Sequence, residues 1–159
     1  MGMSDESQFS KVYLDTNVFI RAVEGTNEAG SPAKELLQFL RTRPERAVTS
    51  EITFGEVLAP PERSDAMPLH IKRRAYLDLL LWSGFISLVP VTRSILIETA
   101  DLRSATRLKL PDAIHLVSAI RMRCRFFVTG DKGITALPTG MIRVSPDERG
   151  IEALLREVT

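Results

Sequence analysis

The sequence predicts an α/β fold, a sandwich with a mainly parallel central sheet of four to five strands. Three observations lead there. Short apolar runs rich in β-formers alternate with longer segments whose apolar residues recur at helical spacing. The strand-like runs are continuous rather than alternating, as in Phe126-Phe127-Val128, which is what strands covered by helices on both faces require. The chain has 159 residues, 44% hydrophobic and 26% charged, enough to bury one sizeable core without disulfides or structural metal.

Taken in order, Met1 to Ser10 reads as a polar, disordered lead rather than a secretory signal, and residues 11–159 read as one domain. Lys11 to Leu14 is the first strand and stops at Asp15-Thr16-Asn17. A helix opens at Ser31-Pro32, with Ser31 as a cap and Pro32 at the first helical position. Ala33, Leu36, Leu37 and Leu40 form its core face, and Pro44 closes it. Ala47 to Thr49 is the second strand. Ser50 caps a short helix from Glu51 to Ala59, which Pro60-Pro61 stops. Leu69 to Trp82 reads as a helix and Ile86 to Val89 as the third strand. Thr92 or Ser94 starts a helix running to about Arg103. Pro111 opens another, with Ala113, Leu116, Val117 and Ile120 toward the core. Phe126 to Thr129 is the fourth strand, Met141 to Val144 a short fifth, and Asp147 to Glu157 a final helix.

Composition excludes several classes. No apolar run approaches the roughly 20 residues of a membrane span; the longest, Leu77 to Val91, is broken by Asp78, Ser83, Gly84 and Pro90. The single cysteine, Cys124, permits neither an internal disulfide nor a cysteine-based zinc site and suits a reducing, cytoplasmic setting. Net charge is +1, but the bases are 16 Arg against 5 Lys, and Arg pairs with phosphate in a bidentate way that Lys does not. There is no Gly-x-Ser-x-Gly elbow, no phosphate-binding Gly-rich loop and no dinucleotide fingerprint.

The chemistry falls to carboxylates. Asp15 directly follows the first strand and Asp131 follows the fourth, so both project from one edge of a parallel sheet, where ligands of such sheets bind. Asp112 lies in a first helical turn, and Glu56 shares a helix face with Ile52. Singly, each has a structural explanation as a cap, a dipole partner or an exposed acid. Together, four converging carboxylates repel until they are protonated or neutralised by a cation. Oxygen donors without a Cys or His cluster favour Mg²⁺ or Mn²⁺.

Four segments stand in order: Tyr13-Leu14-Asp15-Thr16-Asn17, Ser50 to Val57 (SEITFGEV), Leu110 to His115 (LPDAIH) and Val128-Thr129-Gly130-Asp131. This arrangement resembles the PIN domain family, in particular the VapC-type toxin ribonucleases, over roughly Lys11 to Val144. The resemblance implies a PIN-like three-layer α/β/α sandwich. It implies that Asp15, Glu56, Asp112 and Asp131 are catalytic and hold one or two Mg²⁺ or Mn²⁺ ions, with Asn17 and Thr129 in support. It implies metal-dependent endonucleolytic hydrolysis of RNA, a small antitoxin as partner and a homodimer, for which the apolar stretch Leu77 to Trp82 offers surface.

His115, three residues past Asp112 and away from the core stripe, has two readings, a group that contacts a phosphate or orients Asp112, or merely a rim residue; His70 has no such neighbour. Arg21, Arg103, Arg107, Lys109 and Lys132 lie near the acidic segments and are candidates for phosphate contact. Lys72-Arg73-Arg74 and Arg121-Arg123-Arg125 are expected to face solvent or a partner. Two other readings exist. A haloacid-dehalogenase-like phosphatase also begins with a strand and an Asp, but it needs a second Asp where Asn17 stands. A non-catalytic RNA- or protein-binding module on the PIN fold is opposed by the four retained acids.

Overall fold

The computed structural model describes residues 10–25, 31–60, 67–135 and 137–159. The lead at residues 1–9, Pro61 and the side chain of Ser31 lie outside the described residues. The strands are β1 (Val12–Leu14), β2 (Ala47–Ser50), β3 (Ile86–Val89), β4 (Phe126–Val128) and β5 (Ile142–Val144). The helices are α1 (Thr16–Glu24), α2 (Ser31–Arg41), α3 (Ile52–Val57), α4 (Leu69–Leu77), α5 (Arg93–Ala105), α6 (Leu110–Arg121) and α7 (Glu148–Val158).

All five strands pair in parallel, in the order β3-β2-β1-β4-β5. Successive residues of a strand face opposite sides, and the packing follows that period. Val12 and Leu14 of β1, with Phe126 and Val128 of β4, pack against Val18, Phe19, Leu36, Leu40, Tyr76 and Ile151. Tyr13 and Phe127 point the other way, against Ile95, Ile114, Leu116 and Val117. Helices α1, α2, α4 and α7 therefore cover one face, and α5 and α6 the other. This is the three-layer sandwich that the sequence predicts.

Local signals explain most boundaries. The Ser50 hydroxyl accepts from the Ile52 amide at 3.1 Å, and Thr92 accepts from Ile95 at 3.2 Å at the start of α5. Asp147 accepts from Gly150 at 2.8 Å at the start of α7.

Helix α1, for which the sequence reading has no counterpart, begins directly after Asp15 and buries Val18, Phe19 and Ala22. Three expectations change. The segment Leu69 to Trp82 is α4 followed by a wider π turn over Asp78–Trp82. That turn buries Leu80 and leaves Leu81 and Trp82 about half exposed. Ile120 is 42% exposed, because α6 is so deeply set that its core face is already filled by Ala113 to Ala119. Lys72 is buried, and its ammonium donates to the Ala59 carbonyl at 3.1 Å.

Candidate active site

Strand order runs outward in opposite directions from β1, through β2 to one edge and through β4 to the other. The crevice beyond the carboxyl ends of β1 and β4 is therefore the point where a doubly wound sheet binds its ligands. Two of the four candidate acids, Asp15 and Asp131, follow the ends of these strands.

Asp15 follows Leu14 and its amide donates to the Val128 carbonyl at 3.0 Å. It stands at the cap position of α1, yet its side chain makes no capping bond. The carboxylate is buried, and Oδ2 accepts from the Thr129 hydroxyl at 2.6 Å. The same Thr129 oxygen accepts from the Asp131 amide at 3.0 Å. One buried hydroxyl thus ties the two strand-end acids together. Asp131 turns back on its own loop, where Oδ1 accepts from the Gly133 amide at 2.8 Å. Arg143 on β5 braces this loop by donating to the Asp131 carbonyl at 3.0 Å.

Glu56 arrives from α3. Its Oε1 accepts from the Thr16 hydroxyl at 2.8 Å and lies 2.9 Å from His115 Nε2. Burial pushes the Glu56 carboxyl up, but the hydrogen bonds from His115 and from the Thr16 hydroxyl outweigh it and leave the group below its ordinary value. Asp112, in the first turn of α6, moves the opposite way. Burial, the charge of Asp131 with a hydrogen bond to it, and the charge of Asp15 push its carboxyl up to about 6.

Asn17 and Arg21, one turn apart on α1, form a pair: Arg21 Nε donates to Asn17 Oδ1 at 2.7 Å. The pair lies over Gly130, where an added Cβ would stand 2.7 Å from Asn17 Oδ1 and 3.2 Å from the Arg21 guanidinium. Gly130 is the residue that lets α1 and the β4 loop meet this closely. Lys132 is exposed beyond Asp131. Arg103 instead donates to the Leu108 carbonyl at 3.2 Å, within its own connection. Arg121 pairs with Glu98 at 2.6 Å and with the Ser94 hydroxyl, on the surface between α5 and α6.

His115 corrects the sequence reading. It is not a rim residue but is 1% exposed. Its Nδ1 lies 2.6 Å from the Tyr13 hydroxyl, and its Nε2 lies 3.0 Å from Thr16 Oγ1 and 3.7 Å from Asp15 Oδ1. Tyr13, Thr16 and Arg143 were not singled out by the sequence reading as parts of the site. The signal for Tyr13 is its place in β1, whose alternate residues face α6, and for Thr16 its place next to Asp15 at the start of α1.

The donor chemistry fits a hard divalent cation: burial together with the charges of Asp131 and Asp15 holds the Asp112 proton to about 6, and a cation would offset those charges. Among the described residues, no group of three or more His, Cys, Asp or Glu side chains is arranged to hold a metal ion as they stand. Cation binding therefore has to draw these carboxylates together against their mutual repulsion.

The PIN domain family model matches residues 12–139. Three solved structures are similar. A toxin-antitoxin complex from Klebsiella pneumoniae is 27% identical with a TM-score of 0.62, covering 87% of this chain and 99% of that one. VapBC2 from Rickettsia felis, bound to a DNA fragment from its promoter, is 16% identical with a TM-score of 0.61, covering 84% and 97%. FitAB bound to the IR36 DNA fragment is 17% identical with a TM-score of 0.57, covering 85% and 94%. No curated protein matches the chain. With the acidic crevice at the carboxyl ends of β1 and β4, and a family match spanning most of the sequence, the chain belongs to the PIN domain family.

Proposed function

We propose that this protein is a metal-dependent endoribonuclease that hydrolyses RNA phosphodiester bonds, acting as the toxin of a toxin–antitoxin pair. The observation that carries the reading is the convergence of Asp15 and Asp131 on one buried Thr129 hydroxyl, with Asp112 near enough to be influenced by both charges. Structural acids avoid one another, because each unneutralised like charge costs stability. A crevice that sets several acids within reach of one another's charge suits a cation.

Mg²⁺ or Mn²⁺ would be held by Asp15, Asp112 and Asp131, with Glu56 directly or through water. When bound, one or two such ions acidify water and offset charge on the phosphate oxygens and the leaving oxygen. The protein's own residues supply position. Thr129 fixes Asp15 by donating to Oδ2. Thr16 fixes Glu56 by donating to Oε1. Arg21, oriented by Asn17 and set over Gly130, is placed to meet a backbone phosphate. Lys132 adds positive charge at the open side. No protein nucleophile is needed.

The partners proposed are RNA, a small antitoxin that covers or enters the acidic site, and a second copy of the chain. The Klebsiella pneumoniae complex supports the antitoxin. Exposed Leu81, Trp82, Leu96 and Ile97 support an apolar contact between chains. Among the described residues no helix is long and apolar enough to cross a membrane. We place the protein in the cytoplasm, as one domain over residues 11–159.

The test is cleavage of total and structured RNA with Mg²⁺ or Mn²⁺, with EDTA controls, for the natural protein beside Asp15→Asn. Cutting that both EDTA and the substitution abolish is the expected result. RNA binding without cutting, in the presence of bound Mn²⁺, would favour the binding-module reading instead.

A further inference from the structure

We propose that His115 is a positioning residue of this site: held from behind by Tyr13, its Nε2–H sets the orientation of the Glu56 carboxylate. The inference rests on the metal-site reading for its consequence, but its geometry stands independently.

The hydrogen bonds fix the roles. Tyr13 is fully buried and His115 nearly so, so both ring nitrogens need partners within the protein. Nε2 faces Glu56 Oε1 at 2.9 Å. A carboxylate only accepts, so Nε2 carries the hydrogen. In the neutral ring Nδ1 is then an acceptor, and the Tyr13 hydroxyl, 2.6 Å away, donates to it. Thr16 Oγ1 spends its own hydrogen on Glu56 and receives part of the Nε2–H at 3.0 Å. Neither histidine nitrogen is left to ligate a metal or take a proton from water.

Packing holds the relay still. The Tyr13 ring stacks on Phe127 with centroids 5.1 Å apart and planes 4° from parallel. His115 meets Tyr13 edge-on, at 5.7 Å and 72°. Glu56 needs this support, because α3 has only six residues and the Glu56 side chain is about one-third exposed. Thr16 alone would leave it one donor. His115 also lies three residues past Asp112 on α6, so one helix carries a site carboxylate and the brace for another. The arrangement couples β1, α3 and α6, three elements that enter the site from different directions.

The experiment uses the full-length chain. Nitrogen-15 NMR of the metal-free protein, with His70→Gln to assign the second ring, reads the His115 tautomer. The expected state has hydrogen on Nε2 and none on Nδ1, and Tyr13→Phe releases that preference. Mn²⁺ titration then compares His115→Phe with His115→Gln, whose amide nitrogen reaches about as far as Nε2. Loss of an orienting partner lowers metal affinity by on the order of 10–100-fold. The Phe variant is expected to show that loss, and the Gln variant to recover most of it.

An Nδ1–H tautomer in the natural protein overturns the proposal. So does a folded His115→Phe that binds Mn²⁺ as the natural protein does. Circular dichroism reports folding. If the Phe variant does not fold, Tyr13→Phe decides: an unchanged tautomer and unchanged Mn²⁺ affinity overturn the proposal, and a shift in either supports it. If the tautomer and affinity pattern hold while no RNA is cut, the ribonuclease reading fails and the positioning role stands.

Discussion

On the β1 and α3 side of the crevice each carboxylate has a donor: Asp15 accepts from Thr129, and Glu56 accepts from Thr16 and His115. On the α6 and β4 side Asp112 meets Asp131, another acid, and burial together with the charges of Asp131 and Asp15 pushes its carboxyl up to about 6. The first half is organised before any ligand arrives. The second half carries an unneutralised repulsion that only a proton or a cation relieves. For the cation proposed above, the difference would make one site both prepared and receptive. Fixed oxygens lower the cost of assembling a coordination sphere, and strained oxygens gain most when the charge arrives.

The largest effect expected from this contrast is metal-linked stability. A ligand that binds only the folded state adds about 2.7 kcal/mol at one hundred times its Kd. For a chain of this length that raises Tm by on the order of 5–10 °C. Mn²⁺ is expected to produce this shift in the natural protein, measured by scanning calorimetry, and none in Asp15→Asn or Asp131→Asn. An equal shift in both variants would move the metal away from the crevice.

The prepared half breaks at Thr129. Its hydroxyl is fully buried and serves both Asp15 and the Asp131 amide. Thr129→Val keeps the shape and strands a buried carboxylate oxygen and a backbone N–H. Leaving such groups unpaired costs about 1–3 kcal/mol. Denaturant unfolding of the metal-free variant is expected to show that loss, because the hydroxyl supports the fold whether or not metal is present.

This contrast also separates what the sequence announced from what it hid. Asp15 and Asp131 were legible because each sits at the end of a continuous apolar strand, and a parallel sheet sends both to one edge. Asp112 and Glu56 were legible as acids in places where acids need a reason. The layers followed from alternation in Val12-Tyr13-Leu14 and Phe126-Phe127-Val128, whose neighbours face opposite cores. The supporting half was not legible. Helix α1 begins on Thr16 directly after Asp15, a residue type that suits a helix start, but Asp15 turns its carboxylate to Thr129 and makes no capping bond. Helical spacing turns His115 outward when the apolar stripe of α6 runs through Ile120. The helix is buried over Ala113 to Ala119, and its polar His115 and Ser118 face inward with hydrogen-bond partners. Periodicity finds a core face only where the other face meets water.

The smallest effect sharpens the strained half, and its sign is opposite. Asp112 has a folded pKa of about 6 against an ordinary 3.8. Between those values the folded chain holds a proton that the unfolded chain has lost, so metal-free stability falls as pH rises through that window and is level above it. Asp112→Asn has no such dependence. In EDTA the variant is expected to be more stable than the natural protein above pH 6, with the gain shrinking as pH falls and vanishing below about pH 4. Because the carboxyl is partly exposed, solvent screening reduces the gain to about 1 kcal/mol, or a few degrees in Tm. The same substitution removes a proposed metal oxygen, so Mn²⁺ is expected to reverse the ranking. A variant stabilised without metal and outperformed with it would show that the repulsion at Asp112 is retained for the cation. A variant less stable in EDTA at pH 7 would mean that Asp112 supports the fold instead, and the contrast between the two halves would collapse.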